Sequence, residues 1–177
     1  LKGFKFLSGV NVDEDYTKSN WATYTKSGVF TADYPDEWKA YVNDTSKPDG
    51  TGSYTLNFTD KKSQNVYFVN YKTQSSFAGK TAEVLWKEMS TTNYVKTSDL
   101  TVAGKQAIGY TDKVPGNLSY YIFVDGNSKF TLTVNTKSLS KTTLEKILKG
   151  FRTTNTPGDI TYPDANWFRY TESDMFT

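Results

Sequence analysis

Residues 119–151 read SYYIFVDGNSKFTLTVNTKSLSKTTLEKILKGF, two strands, a tight turn and a helix in succession. Ser119 to Val124 and Lys129 to Asn135 are rich in Tyr, Phe, Ile, Val and Thr, which suit a pleated, half-buried surface. Between them Asp125-Gly126-Asn127 is hairpin chemistry. Ser140 stands where a helix cap is needed, and Leu139 and Leu144 take the positions of a hydrophobic staple. Leu144, Ile147, Leu148 and Phe151 then recur at helical period as one apolar stripe. Gly150 is placed to end that helix in a left-handed turn, with Phe151 folding back as its apolar partner. A hairpin leading into an amphipathic helix implies an antiparallel sheet with a helix laid on it.

Moving toward the N-terminus, Asp99 to Ala103 and Gln106 to Tyr110 read as strands, preceded by a helix at about residues 79–90. Ala78, Ala82, Leu85, Trp86 and Met89 make the stripe of that helix, with Ser75 or Ser76 as its cap. Ser53 to Phe58 and Asn65 to Tyr71 are a further pair of strands. Within the second, Val66-Tyr67-Phe68-Val69 is apolar on both faces, as in a central strand covered from two sides. Trp21 to Thr25 and Val29 to Tyr34 alternate around Ser27-Gly28, and Pro35 stops the second of them or holds it at an edge. Trp38 to Val42 is a short strand, and Asn43 to Gly52, with Pro48-Asp49-Gly50, is a turn. Leu1 to Val10 reads as an extended arm and Asn11 to Asn20 as a polar loop. The fold class is therefore α+β, a mainly antiparallel sheet with helices packed on its faces. At 177 residues the chain fits one domain.

Composition narrows the function. The net charge of +2 is made of mixed signs, without the basic stripe that nucleic acid requires. No run of about 18 apolar residues is available to span a membrane as a helix. With no His and no Cys, the chain lacks the means for Ser-His-Asp or Cys-His catalysis, for disulfides and for thiolate- or imidazole-bound zinc. No cofactor and no transition metal are expected. Carboxylates remain: Asp13, Glu14 and Asp15 form the densest cluster, then Asp33, Asp36 and Glu37. Both offer hard oxygens of the kind Ca²⁺ takes, but no Asp-x-Asp-x-Asp-Gly loop is present, and solvated loops account for them. Gly50-Thr51-Gly52 is a turn and not a phosphate loop, having no further glycine and helix behind it. A start at Leu1 rather than Met, together with a surface rich in Ser, Thr, Asn, Tyr and Lys, leads to the expectation of an exported protein, secreted or membrane-anchored, whose leader has been removed. The sequons at Asn43, Asn57 and Asn117 decide nothing, because Ser and Thr are frequent enough to produce them by chance.

Phe30-x-x-x-Tyr34-Pro35-x-x-Trp38, the strand Thr101 to Tyr110 with Gly104 and Ala107, the hairpin Tyr120 to Val134, and the closing Leu144-x-x-Ile147-Leu148-x-x-Phe151 helix occur in that order. In these motifs the chain resembles the PsbP-like family, the extrinsic photosystem subunit and its non-photosynthetic relatives in bacterial and archaeal envelopes. The resemblance covers about Gly28 to Arg152, taken as residues 28–152, and implies an α/β/α sandwich that is usually non-enzymatic and often lipid-anchored or secreted. Residues 1–27 would be an N-terminal arm and residues 153–177 a C-terminal tail, each packed on that core. The tail carries Ile160, Tyr162, Trp167, Phe168, Tyr170, Met175 and Phe176, too many large apolar groups for a segment left in water.

The chain has 13 Tyr, 11 Phe and 4 Trp, and rings make either core or flat contact area. Tyr34, Trp38, Tyr41, Trp167 and Tyr170, with Phe168, are the candidate ligand-binding residues; core packing or support for the tail is the plainer role for the same rings. The expected function is a non-enzymatic extracytoplasmic domain binding a protein or small ligand in the cell envelope, as monomer or homodimer. A carbohydrate-binding module using exposed aromatics is the alternative. A carboxylate-dependent hydrolase, which needs two carboxylates facing each other across a cleft, stands further off.

Overall fold

A computed structural model describes residues 15–47, 52–89, 92–114 and 117–154, together with the backbone of Phe168 and Arg169. The strands are β1 (Trp21–Lys26), β2 (Phe30–Pro35), β3 (Lys39–Asp44), β4 (Tyr54–Thr59), β5 (Asn65–Thr73), β6 (Tyr94–Val102), β7 (Lys105–Asp112), β8 (Leu118–Asp125), β9 (Ser128–Asn135), β10 (Arg152–Thr153) and β11 (Phe168–Arg169). The helices are α1 (Ala82–Glu88) and α2 (Lys141–Gly150), with one turn of 3₁₀ helix at Ser75–Phe77. No helix among the described residues is long and apolar enough to cross a membrane.

Seven strands form one antiparallel sheet in the order β3-β4-β5-β9-β8-β7-β6. Two meanders meet where β5 pairs with β9, from Tyr67 opposite Val134 to Thr73 opposite Ser128. The two most apolar strands of this sheet, β8 and β5, flank β9 at its middle. Because side chains alternate across a strand, the register puts Tyr67, Val69 and Tyr71 on one face with Val134, Leu132 and Phe130. On the other face Ile108 and Ile122 sit opposite each other and receive Leu85 of α1 and Phe77.

The Trp21–Pro35 hairpin does not extend this sheet. It forms a second, smaller one in the order β10-β2-β1-β11, in which β11 runs parallel to β1. This small sheet and α2 together cover the first face, so that face carries strands as well as the helix expected from sequence. Phe30 of β2 reaches down onto Phe130, while Phe151, just beyond α2, stacks on Phe30 at 5.4 Å. Residues 1–14 of the N-terminal arm and most of the tail lie outside the described residues.

Local expectations are met in most places and corrected in three. Ser140 caps α2, its Oγ accepting the Thr143 N–H, and Leu139 is buried against the core on which Leu144 packs. Helix α1 is shorter than expected and is capped by Thr81, whose side chain accepts from the Val84 N–H; Ser75 lies in the 3₁₀ turn instead. Strand β6 begins at Tyr94, well before Asp99, and is exposed through most of its length, so no apolar alternation marks its start. The third correction is Gly150, which is the last residue of α2 and has no left-handed conformation. Phe151 is extended, with ψ of 132°. The glycine is there for space: a Cβ at position 150 falls 2.6 Å from both Cβ and Oδ2 of Asp33 on β2.

A prediction follows from that contact. At a helical site Gly→Ala ordinarily stabilises by roughly 0.5–1 kcal/mol. Here α2 must lift from β2 to admit the methyl group, so Gly150→Ala is expected to destabilise by roughly 1–3 kcal/mol. Thermal unfolding reads the sign directly, and a raised melting temperature would mean that α2 does not lie this close to β2.

Candidate functional site

One end of the molecule brings together three distant segments. Gly28, with φ of 69°, allows the tight β1–β2 turn, closed by the Val29 N–H on the Lys26 carbonyl at 3.0 Å. Gly126, with φ of 61°, takes the first position of the two-residue turn that joins β8 to β9. Only positive φ at that position makes a type II′ hairpin, the form whose twist matches the strands. Thr154, following β10, is tied to the first turn through its N–H on Val29 O (3.0 Å) and its Oγ1 on Gly28 O (3.1 Å).

Between these segments lies a cleft of about 250 Å³. Its aromatic lining is Tyr71 and Phe130, stacked at 5.8 Å. Most of the rest is polar. Thr73 Oγ1 and Ser128 Oγ, on directly opposed residues of β5 and β9, share a hydrogen bond of 2.8 Å. Asn127 accepts the Gln74 N–H on its carbonyl, holding the hairpin tip against the end of β5. Asp125 also lines the cleft and is only 6% exposed. Its Oδ1 lies 3.0 Å from the Lys105 ammonium, while its Oδ2 has no hydrogen-bond partner among the described residues. A buried carboxylate needs such a cation to remain charged without a large penalty.

The ring residues anticipated from sequence are dispersed. Trp38 is 4% exposed and packs edge-on to Tyr16 at 5.2 Å, a partner the sequence did not suggest. Tyr34 is half-buried, with its ring 4.6 Å from that of Phe58, which Trp38 also approaches. Tyr41 is apart from both: on edge strand β3 it is 53% exposed and opposes Asn57, so it faces away from Phe58. Trp167 and Tyr170 lie outside the described residues, and only the backbone of Phe168 is placed, beside Ala22.

Among the described residues the carboxylates do not gather into one cluster. Asp13 and Glu14 lie outside the described residues. Asp15 accepts from the Thr17 N–H and from Ser140 and Thr143 at the start of α2, and the Thr17 bonds hold its carboxyl below the usual range. Asp33 is buried and accepts from Thr23 Oγ1 at 2.6 Å; Glu37 accepts from Ser19 and pairs with Lys61. Among the described residues no three His, Cys, Asp or Glu side chains come close enough to share a metal ion.

Sequence reading missed the cleft, because Thr73, Asp125 and Ser128 look like ordinary strand ends. It also missed a set of rings beneath α1, where Tyr110 and Tyr120 stack at 4.9 Å, Tyr94 meets both edge-on and Trp86 abuts Tyr110. Tyr120 donates to Asp112 at 3.3 Å, and burial pushes the Tyr110 phenol far up. Their recurrence on β7 and β8 was the available signal.

No protein-family model and no curated protein matches this chain. In structure it is similar to cyanobacterial PsbP (CyanoP) from Synechocystis sp. PCC 6803, solved in solution, at 14% sequence identity and a TM-score of 0.48. The match covers 76% of this chain and 93% of that one. It is a likeness of chain path alone.

Proposed function

We propose that this chain is a non-enzymatic, PsbP-like binding domain of the cell envelope, acting outside the cytoplasm, and that a small ligand occupies the cleft between the two sheets. The cleft carries the reading: it is concave, held by hydrogen bonds between three segments, and its accessible surface is mostly polar. Among the described residues Asp125 is the only carboxylate lining it, and Lys105 already engages it. A hydrolase of the two-carboxylate kind therefore has little support. The carbohydrate module built on an exposed aromatic face is weakened too, since Trp38 is in the core and leaves Tyr41 without that neighbour.

Strand β3 favours a second reading, a protein contact. It is an edge strand, every residue of it is exposed, and Tyr41 and Val42 are 53% and 50% exposed on its two faces. Edge strands commonly carry charges that prevent pairing, whereas two large side chains at the centre of this one suit addition of a partner's strand.

An amide-resolved NMR screen of the isotopically labelled chain against a small-molecule fragment library tests the first reading. Ligands are expected to shift the Thr73, Asn127, Ser128 and Thr154 amides and to be recovered unaltered. A library that leaves those amides unmoved, or a ligand that is chemically converted, would overturn it.

A further inference from the structure

We infer that the face of the large sheet opposite the cleft binds a doubly charged tetrahedral oxyanion, a phosphate, phosphate monoester or sulfate, between Lys72 of β5 and Lys129 of β9. The two lysines are directly opposed in the ladder. Their neighbours Tyr71 and Phe130 line the cleft, so the lysine side chains leave the sheet on its other face. Such a pairing works against stability, because like charges directly across two strands repel. Both residues are also half-buried, which removes part of the water that would screen them. Elsewhere among the described residues, half-buried lysines are matched. Lys26, Lys80 and Lys105 meet carboxylates at 3.2, 2.7 and 3.0 Å, and Lys146 lies over the Trp21 ring. Neither Lys72 nor Lys129 has a carboxylate partner among the described residues. Lys129 has the Phe77 ring, whose centroid is 5.4 Å from its Nζ. Burial, and then the charge of Lys72, hold its ammonium below the ordinary lysine value, so the two cations feel each other.

The surroundings select the ligand. One row along the same face, Asn70 opposes Thr131. Asn70 Oδ1 accepts from Thr55 Oγ1 at 2.7 Å, which leaves its amide NH₂ to donate, and Thr131 adds a hydroxyl. The positions that flank this square are Thr55 on β4 and Ile122 and Val124 on β8, none of them acidic. Four donors with no carboxylate beside them suit an anion. Two of the four are full charges, and a phosphate monoester carries about −1.5 to −2 at neutral pH, which balances the pair. A carboxylate ligand would leave one lysine unmatched. Hydrogen bonds from ammonium to an oxyanion are also stronger than neutral ones. The site is independent of the cleft, which lies across the sheet.

The test is an amide-resolved NMR titration of the labelled full chain with inorganic phosphate, glycerol 3-phosphate, sulfate and acetate, at constant ionic strength and about pH 7.5, where phosphate is mostly dianionic. At least one dianion is expected to give saturable shifts at Asn70, Lys72, Lys129 and Thr131, at a concentration roughly tenfold below any effect of acetate. Inorganic phosphate ahead of glycerol 3-phosphate would identify the ligand as a free ion, and the reverse order as an ester. Lys72→Gln and Lys129→Gln keep most of the stem and remove the charge, and each should weaken dianion binding at least about tenfold. Without ligand and at low salt both variants should melt slightly higher than the parent, since the like-charge contact is gone. Amides remote from this face report that the variants are folded, and Lys137→Gln, beyond the other end of β9, should bind as the parent does. No saturable shift with any dianion, acetate binding as tightly as the dianions, or dianion binding that survives both glutamine variants would each overturn the inference. So would a lower melting temperature in both variants without ligand, which would mean that the two charges are already matched within the chain.

Discussion

Phe30→Ala is expected to cost roughly 3–5 kcal/mol, the range for truncating a buried Phe. At about 2–4 °C per kcal/mol for a chain of this size, the melting temperature should fall by roughly 6–20 °C. Phe30 is 1% exposed, and its ring lies between 5.4 and 6.3 Å from those of Tyr24, Tyr54, Tyr71, Phe130 and Phe151. Those partners come from the small sheet, the large sheet and the residue that follows α2, so the one ring joins three elements. Truncation leaves a cavity among rings that are themselves confined by neighbours, and such a site cannot readily collapse. Phe30→Leu keeps most of the volume and should lose less than half as much. A drop of only a degree or two for the alanine variant would show that the small sheet does not pack on the large one through Phe30.

The second large effect is loss of stability in base. Burial pushes the Tyr67 phenol well above its ordinary value, and the nearby Asp33 carboxylate adds to this. Burial likewise raises Tyr110, reinforced by Tyr94, Tyr120 and Asp112, and raises Tyr121 and the more exposed Tyr71 and Tyr120. A folded-state value above the unfolded one means that stability is fully present below about pH 10 and is lost as pH rises toward the folded value, because the unfolded chain releases its protons first. Each such phenol contributes a slope of ~1.4 kcal/mol per pH unit, so Tyr67 and Tyr110 together give about 3. The two more exposed phenols, Tyr71 and Tyr120, add less, through solvent screening. Lys129, lowered by its burial and then by Lys72, works in the opposite sense, as one group against several. On the acid side, the hydrogen bonds to Ser46 that lower Asp44 contribute stability above its ordinary value, lost as pH falls through the folded one. With no His, no side chain of ordinary pKa titrates near neutrality. Urea midpoints should therefore be nearly constant from about pH 6 to 9 and fall steeply by about pH 11, together with the appearance of tyrosinate absorbance. An unchanged midpoint at about pH 11 would mean that these phenols are open to water in the folded chain.

Near neighbours in the chain determined what the sequence disclosed. Ser140, Leu139 and Leu144 mark the start of α2 because a cap and a staple act within one helical turn. Asp125-Gly126-Asn127 marks the hairpin because its backbone demands are met inside the turn itself. The apolar run Val66 to Val69 marked β5 as a strand of the sheet's interior, since a strand covered on both faces must be apolar on both. Residues that meet only after the chain has folded back decided the rest. The sequence reading gave Gly150 a conformational role because it could not show that Asp33 would lie against it. Trp38 and Tyr41 were equal candidates until the sheets were stacked, for alternation separates faces without saying which one a second layer will cover. Thr73 opposes Ser128, Lys105 reaches Asp125, and Thr154 closes on Gly28, each through pairing between segments far apart in the chain. Local propensity acts over a few residues, whereas the cleft exists only through the register of β5 on β9 and the docking of the small sheet, and these are set by burial of the whole aromatic core.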